Sequence, residues 1–465
     1  MKLSSKALLA LAISSITATA YAESVSQDFV PTTLAGTSAQ SEAKGFIEDF
    51  SLGGTTRNWY SHESKYRGGN FEYQKHGQTL TDRNRTNWVQ GTIINASSGF
   101  TQGTVGVKTE LAVYNALVLD RSKRDIKGGS NRTLADSDGN AVDQWSKLGL
   151  ANVQFRVSNT TLTAGRQNFS SGIVDTIGNR ALPSSFEGVS FNSEEFSNLS
   201  FQGGVFDRVS PRTEQSLSKF RSEYGNGTQE TDKVSTLGLN YQPLKSLKVS
   251  VFGANVKDFW NQYYFGATHE LGDAQQLALT TGFNYYKTVD EGKKEMGEID
   301  NDTFSLSLGL AHQAHSLTFS YQQVNGNEYF DYLHETNGIY LANSLTSDFN
   351  GPNEKSFQVA YAINMAEYGV PGLKFNAYSA RGWDIDGTHY TGNNGRAKFA
   401  YDGIQKQDGE KHQEYGVGAS YAIQSGALKA TTVRATYVEH RGSEFQSDGS
   451  IKEFRLVTTV PFNIL

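Results

Sequence analysis

Large apolar residues alternate with small or polar residues along most of this chain, from about residue 46 to the C-terminus. In the segment 303–310, Phe304, Leu306, Leu308 and Leu310 occupy every even position, and small or polar residues occupy the odd ones. A period of two is typical of a β-strand whose two faces meet different environments. Helical periodicity is nowhere sustained. The sequence therefore predicts an all-β protein.

About eighteen segments follow this pattern, and an even number of that size is typical of single-chain bacterial β-barrels. The predicted strands lie near 46–60, 86–96, 102–119, 146–157, 161–167, 185–193, 198–207, 232–242, 246–257, 262–270, 275–287, 301–313, 316–325, 355–364, 373–381, 411–423, 428–440 and 451–463. We expect the count to hold within about two, because strand boundaries are the least certain part of such a reading.

The connections between these segments alternate between short turns and long polar loops. The long ones lie near 61–85, 120–145, 168–184, 208–231, 288–300, 326–354 and 382–410. Short periplasmic turns on one rim and long external loops on the other are typical of an outer-membrane barrel. With an even strand number and a long first loop, both termini are expected on the periplasmic side.

Composition fits a membrane barrel better than its mean hydropathy suggests. The mean hydropathy is −0.50, and beyond the N-terminus no apolar run reaches the ~18–20 residues of a membrane helix. A barrel strand exposes only alternate residues to lipid, so it reads as hydrophilic on average. The chain has 47 glycines, 27 phenylalanines and 23 tyrosines but no cysteine, which excludes disulfides and thiolate chemistry. The predicted fold is a transmembrane antiparallel β-barrel.

The N-terminus has the features of a secretory signal peptide. Lys2 and Lys6 precede an apolar stretch, and Ala20 and Ala22 form a small-x-small cleavage site. We predict a signal peptide over 1–22, an N-terminal extension over 23–44 and a barrel over 45–465. Removing the signal leaves 40 basic and 48 acidic residues, a net charge of −8, which argues against nucleic acid as a partner.

Strand parity places several arginines on the inner face of the barrel. Arg57, Arg156, Arg434 and Arg455 each alternate with apolar neighbours that should face lipid. An arginine facing lipid near the membrane centre would cost ~2–4 kcal/mol. A row of inward guanidinium groups would attract anions and bind carboxylates bidentately. The alternative is that each arginine pairs with a nearby Glu or Asp.

Several long, irregular motifs, spread over nearly the whole mature chain, resemble the OprD porins, substrate-specific outer-membrane channels of pseudomonads. The motifs are GFIED (45–49), RNWY (57–60), GFTQGTVG (99–106), LANS (341–344), SDFNGP (347–352), YGVPGL (368–373), DIDGT (384–388) and EFRL (453–456). The resemblance implies an eighteen-stranded barrel, a monomer or a loose homotrimer, whose inward-folded loops narrow the pore. It also implies a ladder of arginines opposite an acidic pocket.

The resemblance carries substrate-binding roles over to nine residues. The ladder positions are Arg85, Arg180, Arg434, Arg455 and Arg381, the last where the type member has a lysine; the pocket positions are Tyr224, Tyr332, Ser344 and Asp348. Three departures weaken the match. Asn337 stands where channels selective for basic amino acids have an acid, although Glu335 is close enough to substitute. The 344–348 segment is one residue shorter, and Glu63 stands where another arginine is expected.

The sequence gives only weak indications of metal binding or catalysis. The segments 136–140 and 384–387 are rich in aspartate, yet neither has the register of a calcium loop. His312 and His315 lie at a predicted hairpin, where a turn is a better interpretation than a metal site. No nucleophile elbow, Walker loop or zinc-protease motif is present. We expect no cofactor and no enzyme activity.

These observations predict a bacterial outer-membrane channel for small, water-soluble solutes that carry a carboxylate. Amino acids, short peptides, aromatic carboxylates and, on the same chemistry, β-lactam drugs are the candidate solutes. The expected partners are these solutes together with outer-membrane lipid and lipopolysaccharide. The alternative functions are an adhesin or receptor acting through the long external loops, and a barrel enzyme.

Overall fold

The described part of the chain comprises residues 38–75, 78–120, 142–392 and 400–465 in a computed structural model. It contains twenty β-strands, of which eighteen form one antiparallel sheet and two form a separate hairpin. The strands are β1 (Ser51–Arg67), β2 (Phe71–Lys75), β3 (Gln78–Asp82), β4 (Asn84–Ser97), β5 (Gly106–Val118), β6 (Gln144–Val157), β7 (Thr160–Gln167), β8 (Ser185–Phe196), β9 (Leu199–Ser210), β10 (Val234–Leu244), β11 (Leu247–Val256), β12 (Trp260–Asp273), β13 (Leu277–Asp290), β14 (Asp300–His312), β15 (His315–Asn325), β16 (Lys355–Asn364), β17 (Leu373–Asp386), β18 (Asp408–Ala422), β19 (Thr432–Gly442) and β20 (Ser450–Asn463).

The large sheet is a closed barrel, because its first strand pairs with both the second and the last barrel strand. Ser61 on β1 lies opposite Asn87 on β4 and opposite Arg455 on β20. Every other barrel strand pairs with its neighbours in chain order. Closure leaves no unpaired edge, which a sheet surrounded by lipid requires. The eighteen-stranded barrel predicted from the alternation is confirmed.

The predicted strand boundaries differ most at the start of the barrel. The first strand was expected over 46–60 but runs over Ser51–Arg67, because residues 46–49 form a turn whose Phe46 carbonyl accepts a hydrogen bond from the Gly99 amide. The first long connection, expected as a loop, contains the β2–β3 hairpin. Both departures lie at the ends of strands, where the alternation is weakest.

One rim of the barrel carries short turns and the other carries the long connections. Only residues 158–159 join β6 to β7, whereas residues 168–184 join β7 to β8. The Gln40 amide bonds the Ser158 carbonyl, and the Leu52 amide bonds the Leu465 carbonyl. The first described residues and the C-terminus therefore both lie at the rim of the short turns.

The outer face of the barrel is apolar. On β14, Leu306 and Leu308 are 49% and 41% exposed, whereas Thr303 and Ser305 of the opposite parity are fully buried. A side chain that is exposed and apolar on every second position of a closed sheet faces the membrane core. No helix among the described residues is long and apolar enough to span a membrane.

Three long loops fold into the barrel, and their packing forms the main apolar core. These are residues 168–184, 211–233 and 326–354, named here loops A, B and C. Loop C forms a β-bridge with loop A at Thr176 and Thr336, and another with loop B at Ser222 and Leu333. The three loops are therefore tied to one another as well as to the wall.

Polar side chains of the wall anchor loops A and B. The Arg57 guanidinium donates to the carbonyls of Gly178 and Arg180 at 2.8 and 2.9 Å. Lys147 on β6 donates to the Glu214 carbonyl of loop B at 2.9 Å. The lumen is therefore narrowed by loops that are fixed in place. The predicted signal peptide (1–22) and the aspartate-rich 136–140 segment lie outside the described residues.

Candidate functional site

Four arginines on adjacent strands follow one another along the lumen wall. Strands β19, β20, β1 and β4 are neighbours in the barrel. From the loop rim toward the turn rim the arginines are Arg85, Arg455, Arg434 and Arg57, which we call the arginine ladder. They lie level with positions 63, 61, 59 and 57 of β1. Successive rungs are therefore two residues, or about 7 Å, apart along the strand.

Two of the ladder arginines are paired with glutamates. Arg85 binds Glu63 through two hydrogen bonds of 2.5 and 2.7 Å, and both residues are buried. Arg455 binds Glu453 on its own strand at 2.9 and 3.0 Å. The alternative of paired arginines thus holds for these two rungs. Glu63, which departs from the expected arginine, serves as the partner of its neighbour on β4.

Loop A adds a fifth arginine to the ladder. Arg180 and Arg455 both lie over the ring of Trp59, with guanidinium carbons 5.4 and 5.5 Å from its centroid. Burial and the nearby Arg212 and Arg455 lower the pKa of Arg180 to about 10, so it keeps its charge at neutral pH. The five arginines and their two glutamate partners together carry a net charge of +3.

An aspartate of loop C is the centre of the acidic pocket. The Asp348 carboxylate accepts hydrogen bonds from the hydroxyl groups of Tyr224 at 2.7 Å, Tyr332 at 2.8 Å and Ser344 at 2.6 Å. The structure therefore brings the four predicted pocket residues together. Burial raises the pKa of Asp348 to about 6, although the three hydroxyl groups oppose the rise. Its charge is consequently sensitive to pH in the physiological range.

Loops B and C are joined by a buried ion pair that sequence reasoning missed. The Arg212 guanidinium and backbone amide each donate to Glu335 at 2.8 Å, and the two residues are only 5% and 3% exposed. Burial opposes ionisation, but Arg212 outweighs it and lowers the pKa of Glu335 to about 2. Beside this pair, His334 bonds Glu223 at 2.6 Å.

The expectation that Glu335 substitutes for an acid at position 337 is wrong. Glu335 is occupied by Arg212, so its charge is already neutralised within the loops. Asn337 instead lies 3.3 Å from Asp175 of loop A, which also accepts a hydrogen bond from Tyr340 at 2.7 Å. Burial raises the pKa of Asp175 to about 6. The acid nearest to position 337 therefore comes from another loop.

Arg381 does not join the ladder. On β17 it shares parity with the exposed Phe375 and pairs across the sheet with the exposed Phe357. Tyr378, of the opposite parity, reaches inward and donates a hydrogen bond to Glu414. Arg381 is exposed on the outer face, five residues from the loop-rim end of its strand. The role carried over to it from the resemblance is therefore wrong.

Other residues singled out in the sequence have structural partners away from the ladder. Arg156 points inward as predicted, but it packs at the turn rim, 3.8 Å from the Phe100 ring centroid. Asp386 accepts hydrogen bonds from the Thr388 amide and hydroxyl, as expected for a polar turn. Asp384 pairs with Lys355.

A cavity of about 780 Å³ inside the barrel is lined by Arg180 and by the acidic pocket, whereas Arg57, Arg85, Arg434 and Arg455 are not among its lining residues. Arg180 and Arg212 line it together with Glu223, Asp348 and Asp448. Five of the predicted residues line this cavity: Arg180, Tyr224, Tyr332, Ser344 and Asp348. A cavity of this size, with opposite charges on its walls, can hold and orient a small polar solute.

The profile of the protein family described as outer membrane porin, OprD family, matches residues 44–464. The chain belongs to the OprD family of outer-membrane porins. Porin D of Pseudomonas aeruginosa is 36% identical over 439 residues, covering 92% of this chain and 94% of that protein. The porin-like protein GalP of Pseudomonas putida is 26% identical, covering 92% of this chain and 95% of that one.

Solved structures agree with this assignment. The crystal structure of OccD3 (OpdP) of Pseudomonas aeruginosa matches with a TM-score of 0.80 and 45% identity, over 92% of this chain and 94% of that one. This porin is therefore a substrate-specific channel of the bacterial outer membrane, through which small-molecule solutes pass passively, and it is not an enzyme. The adhesin and barrel-enzyme alternatives are set aside.

Proposed function

We propose that this porin selects small solutes bearing a carboxylate, which pass down the arginine ladder and across the cavity opposite Asp348. The observation that carries the proposal is the spacing of the ladder. Its rungs step by about 7 Å along the strand direction and lie on strands one or two apart in the sheet, so a carboxylate can approach the next guanidinium soon after leaving the last. Amino acids, short peptides, aromatic carboxylates and β-lactam drugs share this group.

The charge balance of the lumen supports recognition of the carboxylate. The five arginines of the ladder and their two glutamate partners together carry a net charge of +3, and a charged, narrow channel raises the local concentration of counter-ions. Arg180 is half-buried, and its Nε atom makes no hydrogen bond among the described residues. Arg180 also lines the cavity, where its guanidinium can meet a solute carboxylate, since guanidinium groups bind carboxylates through two parallel hydrogen bonds.

Recognition of a positive group at the other end of the solute has weaker support. The Asp348 carboxylate already accepts hydrogen bonds from the hydroxyl groups of Tyr224, Tyr332 and Ser344. Glu335 is neutralised by Arg212. We therefore propose that the carboxylate dominates selection, and that an amine adds a smaller contribution through Asp348 and Glu223.

The partners at the outer surface are part of the same proposal. Arg381 lies exposed on the outer face near the loop rim, at the level where lipopolysaccharide phosphates would meet the barrel. Outer-membrane lipid would cover the apolar residues below it. We propose a monomer or a loose homotrimer in this environment.

The test is solute blockade of single channels in planar bilayers. Benzoate is compared with neutral benzamide in the wild-type porin and in the double variant Arg434→Gln/Arg455→Gln. Each lost charge-assisted hydrogen bond is worth ~1.5–3 kcal/mol, so the benzoate concentration for half-blockade should rise at least about tenfold. Benzamide should block neither protein.

Arg381→Gln is the matched control, because it removes the same charge from the outer face. Benzoate blockade in this variant should equal that of the wild type. Equal blockade in the wild type and the ladder variant, or equal blockade by benzoate and benzamide, would exclude the proposed carboxylate selection.

A further inference from the structure

A buried cluster of two histidines and two carboxylates lies between loop C and the wall. His412 on β18 and His440 on β19 are 3% and 1% exposed. Nδ1 of His412 and Nε2 of His440 share a hydrogen bond of 2.7 Å, which an ion between them would replace. Asp448, in the connection between β19 and β20, completes a set of donor atoms that all lie within 4.8 Å of one another. The mechanism of solute passage does not use these residues.

His412 has the second layer of contacts that a metal-binding histidine has. Nε2 of His412 lies 2.5 Å from the Glu354 carboxylate of loop C. A histidine that donates the N–H of one ring nitrogen to a carboxylate presents a lone pair on the other nitrogen. This arrangement is common around zinc. Ser347 donates to Asp448 at 2.6 Å and orients that carboxylate.

The neighbouring wall leaves room for this arrangement. A Cβ atom on Gly382 would lie 1.9 Å from a Glu354 carboxylate oxygen and 2.5 Å from Nε2 of His412. Only glycine therefore fits at position 382 as long as His412 and Glu354 are in contact. Nδ1 of His440 makes no hydrogen bond among the described residues, so it can carry the ring proton when Nε2 binds a cation.

The charges of the cluster call for a cation. Among the described residues, neither Glu354 nor Asp448 forms an ion pair with a lysine or arginine, and Glu354 pairs only with His412. One buried and one half-buried carboxylate whose only basic neighbours are imidazoles are costly, and a divalent cation would offset that cost. Two imidazoles and a carboxylate are the ligands of zinc and similar first-row ions, whereas magnesium and calcium prefer oxygen alone.

We propose that His412, His440 and Asp448 bind a divalent first-row transition-metal ion of the zinc class, with water completing its coordination. The ion links loop C, through Glu354 and Ser347, to β18, β19 and the β19–β20 connection. Asp448 lines the same cavity as Asp348, so the ion also adds positive charge to the lumen. This second consequence rests on the proposed function, whereas binding of the ion does not.

Isothermal titration of the detergent-purified, chelator-treated porin with Zn²⁺ tests the site. The wild type should bind one equivalent with a micromolar or lower dissociation constant, and Mg²⁺ should give no binding. His440→Gln and Asp448→Asn should each weaken Zn²⁺ binding at least about tenfold, since even outer-layer changes cost 10–100-fold. Asp448 lies outside the strands, so its variant tests the site even where His440→Gln fails to fold.

His315→Gln is the matched control, because His312 and His315 form an exposed histidine pair at the turn rim, far from this cluster. The His315→Gln variant should still bind one equivalent of Zn²⁺. Absence of Zn²⁺ binding in the wild type, or binding lost in His315→Gln but kept in Asp448→Asn, would overturn the proposal. Reversal potentials with and without Zn²⁺ then report the effect on selectivity separately, because binding without a change in selectivity contradicts only the second consequence.

Discussion

The side chain of Asp348 shows how local surroundings set the charge of the pore. Its carboxylate is 9% exposed and meets three hydroxyl groups, and burial raises its pKa to about 6. A raised carboxyl pKa means that the folded protein resists ionisation until the pH exceeds that value. The pocket is therefore neutral at this position at pH 5 and negative at pH 7.5.

We expect the permeability to cations relative to anions to fall as the pH is lowered from 7.5 to 5, with a midpoint near 6, because Asp348 loses its negative charge. The reversal potential under a salt gradient measures this preference. Asp348→Asn should abolish the step, because the amide has nearly the same shape and no charge. A step that persists unchanged in Asp348→Asn would show that another group controls selectivity.

Asp331→Asn is the control for this prediction. Burial also raises the pKa of Asp331 to about 6, but Asp331 is bonded to Ser222 and Tyr401 inside the loop packing and does not line the cavity. The step in reversal potential should remain in this variant.

At the scale of elements, the inward loops depend on close contacts with the wall. Gly91 on β4 faces loop A, and a Cβ atom there would lie 2.4 Å from the Ala181 carbonyl oxygen. Loop A can therefore reach its position only beside a glycine. The same loop carries Arg180, so the wall and the ladder are coupled through this contact.

Gly91→Ala should push loop A away from the wall, toward the lumen, and narrow the pore. Overpacking of this kind costs ~1–3 kcal/mol, which the loop can relieve by moving into the lumen or off the wall. We expect a change in single-channel conductance of the folded porin and weaker benzoate blockade. Gly253→Ala on β11, where the nearest atom would be 3.5 Å away, should leave both unchanged. An unaltered conductance in Gly91→Ala would mean that the loop tolerates the methyl group.

The Arg212–Glu335 pair fixes loop B to loop C. Because both residues are buried, Glu335→Gln leaves an uncompensated guanidinium and should cost ~3–5 kcal/mol of local stability. Protease cleavage within 211–233 and 326–354 should be faster in this variant. Glu439→Gln removes the partner of the exposed Arg441 and should have little effect. Equal cleavage rates in the two variants would contradict a structural role for the buried pair.

The pH dependence of the same pair has a definite sign. The pKa of Glu335 is lowered to about 2 from an ordinary value of 4.5. A carboxylate with a lowered pKa contributes stability that is complete above its unfolded value and is lost as the pH falls toward its folded value. Loop protection by this pair should therefore hold at pH 5 and decline only between about 4.5 and 2.

At the scale of the whole molecule, two faces of one closed sheet meet lipid and water. Ser307 and Leu308 are consecutive on β14, yet Ser307 lines the cavity and Leu308 is exposed on the outer face. Leu308→Arg should destabilise the barrel by ~2–4 kcal/mol in urea-dependent refolding into vesicles. Ser307→Arg should refold with little loss and change the conductance instead. Similar refolding of both variants would argue against the assigned faces.

Sequence alternation determined the fold because a strand between lipid and water has to alternate. Eighteen strands, long and short connections, and the inward direction of Arg57, Arg434 and Arg455 all followed from it. The same rule also holds for Arg381, which shares odd parity with Phe375 and Ala377. The alternation along its strand places it on the outer face, whereas its substrate-binding role came from the family resemblance alone.

The tertiary structure alone decided what the loops do, since loops have no parity. Arg212 and Glu335 are 123 residues apart in the chain. His412 of the wall and Glu354 of loop C are 58 residues apart. Nothing in their local sequence marks them as partners. Which arginines are neutralised, which acid lies near position 337 and how the pore narrows therefore depend on three loops packing inside a closed barrel, where burial and distance set each charge.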